Sequence, residues 1–207
     1  FVDGRYTIQV QQQCSADLFE FEHLIDNPPL RWLSDHLSAG DAVGFDSRLH
    51  NYQFYEHAHE QLAVKSIQLI ELTENPIDLN WADRPYADIE VARLLEEKFT
   101  GENSLDKRKR IGQKIGQLGA DAALISQLDS IAWLLNIRGN DVPHLPVIMG
   151  SAILYQSGEM VFCTDLRKIP DDFGDHVGPG VGKLAEDTLE EFIQILGREN
   201  QKVIIDG

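Results

Sequence analysis

Short strand-like runs alternate with helix-length amphipathic segments along this chain, and that alternation leaves few folds open. Ala42–Asp46 and Ser66–Leu72 are β-like and enclose Tyr52–Ala63, which carries helical spacing. Ala122–Ile125 precedes a short helix over Leu128–Ile137. Pro146–Leu154 and Met160–Thr164 then form a hairpin around Ser157-Gly158. An amphipathic helix over Leu184–Leu196, stopped by Gly197, leads to a last strand at Lys202–Ile205. Strands interleaved with helices of this size imply an α/β fold, with mixed sheets flanked by helices. Length agrees, since 207 residues bury about 70% of their unfolded surface, enough for one large domain or two small ones.

The remaining segments fill in that frame. Phe1–Asp3 ends a strand, Arg5–Cys14 suits a helix, and Leu18–Leu24 is β-like. Asn27 can cap a helix whose first positions hold Pro28 and Pro29, with Leu30, Leu33 and Leu37 along one stripe and Gly40 at its end. Glu74–Tyr86 has little periodicity and contains Asn75-Pro76 and Arg84-Pro85, which marks it as the domain boundary. Ala87–Phe99 is helical by propensity. Ser104 is placed to cap a helix with Ile111, Ile115 and Leu118 on one stripe, closed by Gly119.

An internal repeat emerges. Phe1-Val2-Asp3-Gly4-Arg5 resembles Phe162-Cys163-Thr164-Asp165-Leu166-Arg167, each a strand ending in Asp-x-Arg. Each is followed by a helix and then a strand ending in Asp, 43 residues on at Asp46 and 41 residues on at Asp206. Similar order at similar spacing points to two copies of one α/β unit.

Few motifs in the chain carry chemistry. A net charge of −16 argues against duplex nucleic acid or an anionic membrane as partner. No apolar run approaches the roughly 20 residues that span a bilayer, and the opening residues lack a signal peptide. Cys14 and Cys163 form no metal or redox spacing and point to a reducing, cytoplasmic setting. Within Glu56-His57-Ala58-His59-Glu60 the two histidines sit about 200° apart on a helix, so they cannot face one ion together. Gly174–Gly182 lacks the spacing of a phosphate-cradling loop and reads as a surface loop. Lys107-Arg108-Lys109-Arg110, the only basic block, reads as a solvated helix face. No Gly-x-Ser-x-Gly elbow occurs. Residue by residue, this is an α/β chain with no self-contained active site.

One segment says more. Leu128–Val147, with Trp133, Arg138-Gly139-Asn140-Asp141 and Pro143-His144-Leu145-Pro146, resembles the signature of the middle domain of three-domain Xaa-Pro aminopeptidases (aminopeptidase P). Phe1-Val2-Asp3-Gly4-Arg5-Tyr6-Thr7 is similar to the strand-to-helix turn of that family's first domain, and Val43-Gly44-Phe45-Asp46 and Trp81–Pro85 follow in the family's order. The resemblance implies two related creatinase N-terminal-like α/β units. Residues 1–74 would be the C-terminal part of the first, 75–86 a linker and 87–207 most of the second. A chain that opens at Phe1 without Met and stops after a β-rich run fits a fragment that lacks the catalytic pita-bread domain.

By the same resemblance, the parent protein would be a metallopeptidase that removes the N-terminal residue from peptides with proline second. Its catalytic domain would hold two divalent ions, usually manganese, through two Asp, one His and two Glu. None of those ligand motifs occurs in these residues, so the resemblance assigns this chain no catalytic or metal residue. Substrate-groove candidates are Arg5, Asp3 and Arg138. The competing roles are a local salt bridge for Asp3 and Arg5, a positive φ for Gly139, capping of backbone N–H groups by Asp141, and a core position for Trp133. Partners would be proline-containing peptides and further copies of the protein as a homo-oligomer, with no nucleic acid and no membrane. A stand-alone α/β module that binds peptides or proteins without catalysis is the alternative.

Overall fold

The computed structural model describes residues 1–85 and 89–205. The chain divides into two compact units, Phe1–Arg84 and Pro85–Asp206.

In the first unit α1 (Thr7–Gln13) and α2 (Pro29–His36) precede β1 (Ala42–Phe45), α3 (Tyr52–Ala63), β2 (Gln68–Glu71) and α4 (Pro76–Asn80). Strands β1 and β2 run parallel, in register from Ala42 opposite Gln68 to Phe45 opposite Glu71. A parallel pair needs a crossover, and α3 supplies it. That helix begins where the Asn51 side chain accepts the Phe54 N–H at 2.8 Å, and it buries Ala58 and Leu62 beside Ile67.

Three expectations change here. Leu18–Leu24 forms no strand; His23 alone makes a parallel bridge with Val2, while Leu18 and Phe19 are exposed. Asn27 is not the cap of α2. A residue before proline is driven out of the helical region, so Pro28, which precedes Pro29, is extended and occupies the cap position itself. The Asn27 amide instead donates to Glu22 at 2.8 Å. Finally, the stretch of little periodicity from Glu74 includes a short helix, α4, which Asn75 caps by accepting the Ile77 N–H at 2.9 Å.

The second unit runs β3 (Arg93–Leu94), α5 (Glu97–Thr100), α6 (Ser104–Gln117), β4 (Ala122–Ile125), α7 (Leu128–Leu135), β5 (Ile137–Arg138), β6 (Ser151–Tyr155), β7 (Met160–Cys163), α8 (Phe173–Val177), β8 (Val181–Leu184), α9 (Leu189–Arg198) and β9 (Val203–Ile204). Five strands form a mixed sheet in the order β8-β7-β6-β4-β9, with β6 antiparallel to both neighbours and each outer pair parallel. Alternation divides β6 between two cores. Ala152 and Leu154 pack with Ile115, Ile131, Leu135, Phe162 and Phe173 on one face. Ile153 packs with Ala122 and Leu196 on the other, under α9. Strands β3 and β5 form a separate antiparallel pair, with Arg93 opposite Arg138.

In this unit the corrections at strands arise where tertiary pairing overrides local propensity, and those at α6 concern the ends of the helix. Tyr86, Ala87 and Asp88 lie outside the described residues, and Arg93–Leu94 of the expected helix is a strand because β5 pairs with it. Asn103, not Ser104, caps α6 by accepting the Asp106 N–H at 2.9 Å, and Ser104 is buried at the first helical position. Leu118 falls past the end of α6 and is exposed. The glycine-rich loop contains most of α8 and the start of β8, whose last residue, Leu184, is the expected start of the next helix. Asp206, the last position of the repeat, lies outside the described residues.

Candidate functional site

The Asp-x-Arg turns are built from hydrogen bonds that span two residues. Asp3 accepts the Arg5 backbone N–H at 2.8 Å, its Nε–H at 3.2 Å and its Nη2–H at 2.6 Å. Asp165 accepts the same three groups of Arg167 at 3.0, 2.9 and 2.6 Å. Both turns leave a chain that soon returns as a parallel partner: Val2 bridges His23, and β7 pairs with β8. A third copy, Asp46, accepts the Arg48 N–H at 3.0 Å but takes its side-chain bond from Asn75 at 2.9 Å. The Arg5 side chain is 80% exposed, and its fork is held by Asp3 in a fixed direction.

The Arg167 side chain, and then its backbone N–H, stabilise ionised Asp165 and hold its carboxyl at about 2, below the ordinary 3.8. Asp3 is lowered in the same sense by Arg5. A carboxyl depressed in the folded state contributes stability above its ordinary value and loses it as pH falls through about 2. A carboxyl-carbon NMR titration should therefore place the Asp165 midpoint near 2, and Arg167→Ala should raise it toward the ordinary carboxylate range, with the residue-167 N–H bond alone remaining. An unchanged midpoint in the variant would remove Arg167 as the cause.

Arg138 ends β5. Its Nη1 donates to the Ile137 carbonyl at 2.8 Å and to the Ala132 carbonyl, near the end of α7, at 3.3 Å. Arg93 faces it across the antiparallel pair and has no ion-pair partner among the described residues. Two like charges directly opposite each other cost stability unless an anion joins them. The loop that follows is anchored from beneath. Asp141 accepts the Met149 N–H at 2.6 Å and the Lys168 ammonium at 2.7 Å, and the side chains of this ion pair are only 4% and 9% exposed. Thr164 Oγ1 donates to the Met149 carbonyl at 2.6 Å. Gly139 is required for closeness and not for a positive φ, because a Cβ there would lie 2.7 Å from the Val147 oxygen.

Lys107 and Arg108 overturn the reading of the basic block as a solvated face. Both are buried, at 2% and 0% exposure. Arg108 donates to the carbonyls of Gly158 at 2.7 Å, Val177 at 2.9 Å and Pro179 at 3.0 Å. Lys107 donates to Asn136 Oδ1 at 2.6 Å and to the Trp133 carbonyl at 3.0 Å. Each cation thus closes the C-terminal end of a helix, where carbonyls lack partners and the macrodipole is negative. Trp133 is not a core residue. It is 39% exposed, with Lys107 Nζ 4.5 Å and Arg110 5.6 Å from its ring centroid. Among the described residues no three His, Cys, Asp or Glu side chains gather as metal ligands.

The profile of the creatinase/prolidase N-terminal domain matches residues 83–207. The chain belongs to that family. Aminopeptidase P1 of Lotus japonicus is 31% identical over 193 residues, covering 93% of this chain and 29% of the relative. Xaa-Pro aminopeptidase 1 of Dictyostelium discoideum is 29% identical over 216 residues, covering all of this chain and 34% of its own length. The X-prolyl aminopeptidase structure from Caenorhabditis elegans, a cytosolic enzyme with a di-nuclear active site, superposes with a TM-score of 0.83 at 23% identity. It covers 99% of this chain and 34% of that one, which shows the shared fold. The chain spans about a third of the length of the relatives it matches.

Within this creatinase/prolidase N-terminal fold, the structure brings Asp3 and Arg5 together and places Arg138 in the other unit, opposite Arg93. Sequence reasoning missed Arg93, Arg108 and Lys168. The signal for Arg93 and Arg108 was present only as charge in otherwise ordinary segments. Lys168 carries one faint signal, being the residue that follows Asp165-x-Arg167.

Proposed function

We propose that this chain is the noncatalytic N-terminal part of an Xaa-Pro aminopeptidase, forming its first and middle domains and leaving hydrolysis to a separate metal-bearing domain. The observation that carries the reading is coverage: aminopeptidases P align with nearly all of this chain while it accounts for about a third of their length. Residues 75–86 would link the two domains. The working site would be a pair of divalent ions, manganese in the first instance, in a soluble cytoplasmic homo-oligomer acting on peptides with proline second. Asp3-fixed Arg5 and, separately, Arg138 would meet the peptide or the catalytic domain. Arg138 is suited to this because only one of its terminal nitrogens is engaged by backbone carbonyls.

Kinetics on the full-length protein test both parts of this reading. Arg5→Ala is expected to lower kcat/KM for Xaa-Pro peptides by about 1–2 kcal/mol, the scale of a charge-assisted hydrogen bond, with Tm and metal content unchanged. A loss of stability with unchanged turnover per folded molecule would make Arg5 a turn residue only. Xaa-Pro hydrolysis by residues 1–207 alone, or none by the full-length protein, would reject the division of labour. The second outcome would favour the binding-module alternative.

A further inference from the structure

A cleft of about 330 Å³ opens in the first unit where both parallel strands end. Phe45 and Glu71, the last residues of β1 and β2, are register partners, so their side chains leave the sheet on the same face. Leu69, two residues earlier on β2, lies on that face and lines the floor. His50, Tyr52 and Tyr55 complete the wall from the start of α3 and the turn before it. The carboxyl ends of parallel strands are where open α/β sheets commonly take ligands.

Its lining is specific in kind. The Phe45 and Tyr55 ring centroids are 5.6 Å apart, Tyr52 and Tyr55 6.2 Å, and Phe45 and His50 6.3 Å. The Glu56 carboxylate, one helical turn on, raises the Tyr52 pKa. Glu71 is exposed, and among the described residues its carboxylate has no partner and no Lys or Arg lines the cleft. Residues 1–84 carry 14 acidic against five basic side chains, so the surrounding field attracts cations. Aromatic rings offer their negative faces to a cation, and a free carboxylate beside them supplies the countercharge.

We propose that this cleft binds a lysine or arginine side chain presented by another polypeptide, with the rings of Phe45, Tyr52 and Tyr55 around the alkyl stem and cation and Glu71 pairing its charge. The inference is independent of the aminopeptidase reading. It needs only the geometry of the first unit.

The full-length protein labelled with 3-fluorotyrosine gives a direct readout, with Tyr52→Phe and Tyr55→Phe assigning the two resonances. The probes are Nα-acetyl-lysine methylamide, its arginine analogue and its uncharged norleucine analogue, at about pH 8, above the ordinary histidine range. Both tyrosine resonances should move with the lysine or arginine probe, and the stronger of the two identifies the natural cation. Norleucine should bind at least about tenfold more weakly, the loss expected when a cation is removed from aromatic faces. Glu71→Gln should weaken the cationic probes about three- to fivefold, the scale of an exposed charge pair, with an unchanged Tm. Equal binding of norleucine, an unaffected Glu71→Gln variant, or no movement of Tyr52 and Tyr55 would overturn the assignment.

Discussion

Replacing Arg108 by methionine is expected to cost about 3–5 kcal/mol of folding stability, the range for removing one partner from a buried charged network. Its guanidinium is fully buried, and desolvation lowers its pKa, yet among the described residues no carboxylate pairs with it. Compensation comes from carbonyl dipoles. Gly158, Val177 and Pro179 each accept one strong hydrogen bond, Gly180 accepts a longer one at 3.5 Å, and Ser104 Oγ lies 3.4 Å from Nε. Methionine fills much of the volume but leaves those carbonyls without donors, and each unpaired buried acceptor costs about 1–3 kcal/mol. Arg108→Lys should fall between, since a single ammonium cannot reach both the turn at Gly158 and the loop after α8. Urea unfolding measures the difference. A loss below about 1 kcal/mol would mean that water enters and satisfies the carbonyls, and the clamp would then be unimportant.

Asp141→Ala is expected to cost about 3–5 kcal/mol for a related reason, because it strands the Lys168 ammonium in a site where the side chain is 9% exposed. It also removes the acceptor of the Met149 N–H. The double variant Asp141→Ala with Lys168→Met should recover a large part of that loss, since replacing both members of a buried ion pair by apolar groups is often close to neutral. What it should not recover is the order of the loop from Gly139 to Gly150, because the Met149 N–H remains unpaired. Hydrogen exchange at Met149 reports this second effect, and unfolding curves for the two single variants and the double variant report the first. Additive losses in the double variant would show that Asp141 and Lys168 do not act as a pair.

The parts of the fold that were legible share a property: they depend on neighbours close in sequence. Tyr52–Ala63 was readable to the residue because Asn51 caps it locally, and Ala122–Ile125 because a strand of that composition between a helix stop and a helix start has little alternative. The Asp-x-Arg turns were readable because donor and acceptor lie two residues apart. The strands that were missed depend on distant partners. Strand β8 is Val-Gly-Lys-Leu, which carries no alternation of its own and becomes a strand because β7 lies beside it. The pair β3 and β5 joins residues more than forty apart, and only that pairing sets Arg93 against Arg138.

Sequence by itself determined the α/β class, the order of most elements, the two Asp-x-Arg turns and, through Trp133 and Arg138-Gly139, the family. Tertiary structure alone decided the fate of the charges. Lys107 and Arg108 stand beside Lys109 and Arg110 in one helical run, and nothing local distinguishes the buried pair from the others. The carbonyls that make burial of Arg108 tolerable come from residues 50 to 72 positions away. A buried cation is stable only where enough acceptors converge on it, and that convergence exists only after the chain has folded.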